Sequence, residues 1–332
     1  MDTLAISGDG PTYYAFSYIL GGTLAMFEGT RDIKYLEQTL RWAETMMASA
    51  KIIDHQGKKN WSGKWSSPWA STSIAYQLED LQGSVELARL ARIILTDPDL
   101  KSVYGTRAQA TYRFVKDHVV DKWLYARNSQ SWFQTVSDNE SYFYSDKTTF
   151  LVRMLLDLHL VDGNQAYAAL ASDMLDAFTQ RLDSYMNSSL IWDLAVSAKG
   201  YDTAHANRMP YMAVDAHAAG MRISAAHLTG LSNLFTRVIW DQSLTSPRFT
   251  NFSSGDNSEV FGRPAWGNGA VYSGWVTLGS HDPAAQKVSE AILAAIIAGV
   301  RNPSLDYMST VYGKIALAGF ITRNMRMART CS

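Results

Sequence analysis

Helical periodicity runs along most of the chain. In IKYLEQTLRWAETMMAS, residues 33–49, Leu36, Leu40, Ala43 and Met47 recur every three to four residues, the spacing that lines one face of an α-helix. The preceding stretch TYYAFSYILGGTLAMFEG, residues 12–29, also reads as a helix, and the short turn TRD joins the two into a hairpin. The plan then returns. SIAYQLEDLQGSVELARLARIIL, residues 73–95, predicts a helix that stops at TDPD, where Asp97 suits a helix cap and Pro98 a first turn. Its partner is expected from about Tyr104 to Leu124. A third pair is expected from about Lys147 through VDGN (161–164) to about Leu182, a fourth over 208–220 and 224–240, and a fifth over 270–279 and 283–299 across GSHDP. A last helix, about 305–325, has no partner.

The turns keep a rhythm. Asp32, Asp97, Asp162, Ser224 and Asp282 mark equivalent points about 60 residues apart, which is the signature of a repeated supersecondary unit. Open solenoids usually join shorter units by short links, whereas here the links between pairs are long and rich in Trp, Gly, Asn and Ser. The pattern therefore predicts an all-α fold, an α/α toroid of about five to seven helical hairpins, as one domain over residues 1–332.

In such a ring the links at roughly 50–70, 125–148, 187–210 and 241–272 would gather over one mouth. They carry His55, Trp61 and Trp65, then Trp132, Asn139, Tyr142 and Tyr144, then Trp192, His205, Asn207 and Arg208, then Arg263, Trp266, Asn268 and Tyr272. Ten tryptophans and seventeen tyrosines exceed what a core of this size needs, and flat amphipathic rings in loops such as NWSGKWSSPW and RPAWGNGAVYSGW suit stacking on sugars.

Composition narrows the partner. Thirty Lys and Arg nearly balance thirty-one Asp and Glu, so no net field favours nucleic acid or an anionic membrane, and no apolar run reaches membrane-spanning length. The single cysteine, Cys331, excludes a disulfide within the chain and a cysteine-based metal cluster. His205 and His217 lie twelve residues apart, too far for one helical site, so neither metal nor cofactor is expected. Four N-x-S sequons, at Asn60, Asn139, Asn187 and Asn251, would permit glycosylation in a eukaryotic secreted protein. The start MDTLAISGDG lacks the basic and then apolar pattern of a signal peptide, so a secreted or periplasmic location requires a leader ahead of Met1, and a cytoplasmic one stays open.

Three chemistries compete. Glycosidic hydrolysis needs two carboxyl groups across the scissile bond, and Glu79, Asp80, Asp138, Glu140, Asp202 and Glu259 are available. Of these, Glu79 and Asp80 fall inside a helical pattern and Asp202 suits a cap. Serine or cysteine nucleophilic chemistry lacks a G-x-S-x-G elbow and a placed thiol. The Asn, His, Arg and Tyr grouping suits β-elimination, in which amide, imidazole and guanidinium donors neutralise a uronate carboxylate while a tyrosine moves the proton.

The segment YDTAHANRMPYMAVDAHAAGMRISAAHLTGLSNLFTRVIW (201–240), with GNGAVYSGWVTLGSHDP (267–283), resembles the α/α-toroid polysaccharide lyases, most closely polysaccharide lyase family 38 of alginate and glucuronan lyases. The resemblance covers about the last 130 residues, with HAN where the family would carry a smaller middle residue. It implies a secreted lyase acting on an acidic polysaccharide or oligosaccharide. By it, Tyr272 is the base and acid, His205, Asn207 and Asn139 neutralise the carboxylate, and Arg263 pairs with it. Trp61, Trp65, Trp132, Tyr142, Tyr144, Arg208, Trp266 and Asn268 then bind the chain. A hydrolase on the same ring and a glycan-binding ring without turnover are the alternatives, and the oligomeric state is not fixed.

Overall fold

A computed structural model describes residues 1–53, 57–62, 77–128, 148–192, 194, 197–269, 271 and 273–330. Helices α1 (Asp2–Ala5), α2 (Gly10–Thr30) and α3 (Ile33–Ser49) precede a small ribbon of β1 (Ile52–Ile53) and β2 (Lys59–Asn60). Helices α4 (Gln77–Thr96), α5 (Pro98–Phe114), α6 (Asp121–Asn128), α7 (Thr148–Asp162) and α8 (Gln165–Thr179) follow. A second ribbon, β3 (Leu182–Tyr185) with β4 (Ser189–Trp192), leads into α9 (Thr203–Ala206), α10 (Arg208–Ala218), α11 (Ala225–Leu234), α12 (Ser273–Thr277), α13 (Pro283–Ile297) and α14 (Val311–Thr330). The described fold is mostly helical and built of helical hairpins, as the sequence pattern predicts.

The chain forms two compact units, one of residues 1–20 and 33–174, the other of residues 21–32 and 175–332. In the first, α4 packs against α5 and α7, with Leu81, Leu90, Ile94, Leu151, Leu155 and Val115 fully enclosed. In the second, α12 packs against α10 and α14, and Trp192, Trp275, Phe235 and Phe249 form a stacked aromatic core. Here α2 crosses α14 on glycine. A Cβ on Gly319 would meet the Gly22 carbonyl oxygen at 2.0 Å, so the two backbones touch without intervening side chains.

The turn markers hold their places for a physical reason. Asp97 Oδ1 accepts from the amides of Asp99 and Leu100, and Pro98 starts α5 directly, so this helix begins six residues before Tyr104. Ser224 caps α11 and Asp282 caps α13, while Asp162 Oδ1 accepts from Asn164 N just ahead of α8. Two helices continue into single wider π turns, Val115–Val120 after α5 and Phe235–Ile239 after α11.

Two features depart from the helical reading. Residues 182–192 form a hairpin whose turn holds Asn187 and Ser188 at φ 58° and 56°, and Trp192, expected to face a cleft, is fully buried in it. The helix expected over 270–279 is limited to Ser273–Thr277 with a 3-10 turn after it. Two sequons are also closed to modification in the folded chain, because Asn60 and Asn251 are buried.

Candidate active site

In the second unit the polar cluster is built outward from Asp202, the cap of α9. Its Oδ1 accepts from His205 N at 3.1 Å and from Asn268 Nδ2 at 2.8 Å, and its Oδ2 lies 2.8 Å from His205 Nδ1. A carboxylate facing Nδ1 places the ring proton there and leaves Nε2 as the accepting nitrogen. The Asp202 side chain is 10% exposed and that of His205 43%, so the pair is a buried carboxylate orienting a half-exposed imidazole.

Asn251 holds the loop that closes over this pair. Its Nδ2 donates to Ser258 O and Pro264 O, each at 2.9 Å, and its Oδ1 accepts from Asn268 N at 2.7 Å. Asn257 Oδ1 accepts from Asn251 N and from Trp266 N, the latter at 2.7 Å. The amides therefore replace a missing ladder of secondary structure, as buried backbone groups require.

The expected site residues scatter. His205 and Asn268 meet at Asp202. Asn207 is buried: its Nδ2 donates to Ala204 O and its Oδ1 accepts from Gly274 N at 3.3 Å. A Cβ at Gly274 would lie 1.7 Å from Asn207 O, so α12 seals this side of α10. Asn207 thus spends one donor and one acceptor of its amide on backbone. Arg208 is buried in the first turn of α10. Arg263 is exposed, with its guanidinium reaching Gly267 O at 3.4 Å, and Trp266 lies half-exposed with Arg248 5.0 Å from its ring centre. Trp61, expected to face sugar, is 3% exposed inside the first unit, edge-on to Tyr13 at 4.9 Å and donating to Met46 O. His55, Trp65, Trp132, Asp138, Asn139, Glu140, Tyr142, Tyr144 and Tyr272 lie outside the described residues.

A second cluster, in the first unit, lies in the first turn of α4. Glu79 and Asp80, adjacent acids, are each 3% exposed. Asp80 Oδ2 forms an ion pair with Lys122 Nζ and accepts from Trp123 Nε1 at 3.2 Å, and Lys122 reaches on to Asn60 Oδ1 at 2.7 Å. The Glu79 carboxylate packs over the start of α2, where a Cβ on Gly10 would meet its Oε2 at 2.7 Å. Sequence reasoning set this pair aside as helical. Their burial is set by tertiary packing and is not visible in the local pattern. Among the described residues no group of His, Cys, Asp and Glu is arranged to hold a metal ion, and no helix is long and apolar enough to cross a membrane.

No family model matches the chain, and no curated protein matches it. Two solved structures are similar. One is an inactive variant, altered at two adjacent aspartates, of the alpha-1,6-mannanase GH76A of Salegentibacter sp. HEL1_6 in complex with alpha-1,6-mannotetrose. It is 12% identical over 94% of this chain and 88% of that one, with a TM-score of 0.47. The other is the cellulase Cel9M of C. cellulolyticium in complex with cellobiose, 14% identical over 92% of this chain and 63% of that one, with a TM-score of 0.43. The expectation of an alginate or glucuronan lyase is corrected: the similar solved structures are a mannanase and a cellulase.

Proposed function

We propose that the protein is a glycoside hydrolase acting on a carbohydrate polymer, with Glu79 and Asp80 as its carboxyl pair. The observation that carries this reading is the burial of two adjacent acids in one helical turn, one of them gripped by an ammonium and an indole. Burying one carboxylate against a lysine is a common structural device, but enclosing a second beside it adds desolvation cost that packing alone does not require. Asp80, fixed by Lys122 and Trp123, suits the base or nucleophile, and Glu79 suits the acid that protonates the leaving oxygen. The other acid cluster fits the task less well, because both oxygens of Asp202 are already engaged by His205 and Asn268.

The test uses the full chain on a panel of neutral glycans that includes an α-1,6-mannan and a β-1,4-glucan. New reducing ends without an ultraviolet-absorbing unsaturated product are expected, since hydrolysis leaves no double bond. Glu79→Gln is expected to lower turnover about a hundredfold or more with the fold and oligosaccharide affinity kept. Retention of more than about a tenth of wild-type turnover would remove Glu79 from the mechanism. Tight binding with no turnover by the wild type would make the protein a glycan-binding module.

A further inference from the structure

The loop over Asp202 carries an unusual turn. Val260 and Arg263 exchange both backbone hydrogen bonds, at 3.2 and 2.9 Å, and the two residues between them, Phe261 and Gly262, have φ of 50° and 72°. Positive φ at both central positions is the geometry of a type I′ turn, whose first position favours Asn or Asp because a Cβ with a bulky ring is disfavoured there. Phe261 occupies that position with 73% of its surface exposed, so the ring is neither preferred by the turn nor held by a core. Such a conformational cost at an exposed aromatic points to use.

The neighbour of this ring is His205. The two ring centres are 6.0 Å apart with planes at 70°, forming an open corner, and Asp202 fixes the imidazole through Nδ1 so that Nε2 remains for a ligand. The loop is in turn fixed by Asn251 and Asn257, so the corner is preformed.

We propose that the Phe261–His205 corner is a sugar subsite, taking one pyranose ring of a glycan chain. The C–H face of the sugar stacks on the phenyl ring, and a hydroxyl bonds to His205 Nε2. The proposal rests on the glycan reading above but not on the carboxyl pair, since the corner binds and does no chemistry.

Binding is measured by calorimetry with manno- and cello-tetraose, and thermal stability by melting, for wild type, Phe261→Asn, Phe261→Tyr and His205→Ala. Phe261→Asn suits the turn better, so its Tm is expected to rise while the Kd for a bound tetrasaccharide rises about tenfold or more. Phe261→Tyr keeps the ring and is expected to bind as wild type, and His205→Ala is expected to weaken binding without raising Tm. Unchanged affinity in Phe261→Asn overturns the subsite, as does a fall in its Tm, which would make the ring a packing element. Failure of a wild-type protein to bind either tetrasaccharide also overturns it. A chain that binds through Phe261 yet hydrolyses nothing keeps the subsite and removes the hydrolase reading. One that hydrolyses glycan with a KM indifferent to Phe261→Asn does the reverse.

Discussion

The two units bury polar groups in opposite ways. In the first, long charged side chains on regular helices meet between α4 and α7: Glu86 Oε1 pairs with Arg153 at 2.9 Å, Glu86 Oε2 with Arg89 at 3.2 Å, and Arg92 with Asp157. Glu86, Arg89 and Arg153 are each no more than 3% exposed. In the second, short amides and hydroxyls bond to backbone: Asn251, Asn257 and Asn268 pin a loop, Thr203 Oγ1 donates to Thr250 O, and Ser304 Oγ donates to Trp266 O. Regular helices satisfy their own backbone, so side chains between them are free to pair with one another. An irregular loop does not, and its side chains are consumed in doing so. The loop in the second unit is therefore held by neutral groups whose loss is local, whereas the contact of α4 with α7 in the first is held by charged pairs.

The sharpest way to break this contrast is at Arg153. Arg153→Met removes one of the guanidinium groups paired with Glu86 in a closed interface and is expected to cost about 3–5 kcal/mol, read as a shift in denaturant midpoint. Replacing Glu86, Arg89 and Arg153 together by leucine and methionine of matching volume is expected to recover most of that loss, because none of the three positions then carries a buried charge. A triple variant as unstable as the single one would show that the charges themselves, and not their pairing, hold α4 to α7.

Asn251→Ala makes the corresponding change in the second unit. It removes the donors to Ser258 O and Pro264 O and the acceptor for Asn268 N, and is expected to cost about 1–3 kcal/mol, less than Arg153→Met because the groups left unpaired are neutral. The effect should be local, with faster proteolysis within residues 249–269 while the first unit's amide exchange stays at the wild-type rate. A global loss of protection would mean that the loop is part of the core.

The same contrast governs how much was legible beforehand. Helices and their turns follow from local rules, so the cap at Asp97 and the first-turn Pro98 stand where expected, and the turn markers Ser224 and Asp282 fall on helix caps. The links are set by tertiary contacts and were read less well. Trp192 and Trp61 have the composition of sugar platforms yet are enclosed, because an indole in a glycine- and serine-rich stretch packs as readily as it stacks. Asn251 read as a sequon and is a loop pin. His205 was singled out from its neighbours, and its partner Asp202 was weighed as a cap or a hydrolytic carboxyl but not as the group that holds the imidazole, and it is both cap and partner. Phe261 escaped notice although a bulky residue followed by glycine between Val260 and Arg263 is a visible turn with the wrong first residue. Glu79 and Asp80 were set aside for lying in a helix, and the burial that supports their proposed role is a tertiary property the local pattern does not carry.

The smallest expected effect compares one histidine from each unit. Burial holds His118 below its ordinary pKa of 6.5, with Lys59 adding to the shift, and burial likewise lowers His281, with His217 adding to it. In the window between each folded value and 6.5 the unfolded chain binds more protons than the folded one, so stability rises with pH there. It is complete above 6.5 and is lost as pH falls through the folded values, which gives acid sensitivity with the sign of a buried neutral imidazole. At His118 protonation also ends the hydrogen bond that Nδ1 accepts from Lys59 N at 3.3 Å, whereas His281 lies 5.9 Å, centre to centre, from the His217 ring. Melting curves taken from neutral to mildly acidic pH should thus show a falling Tm, and His118→Gln should flatten the curve more than His281→Gln. Equal flattening would place the two units' histidines in equivalent surroundings, and a Tm that rises on acidification would show that neither imidazole is held neutral by its burial.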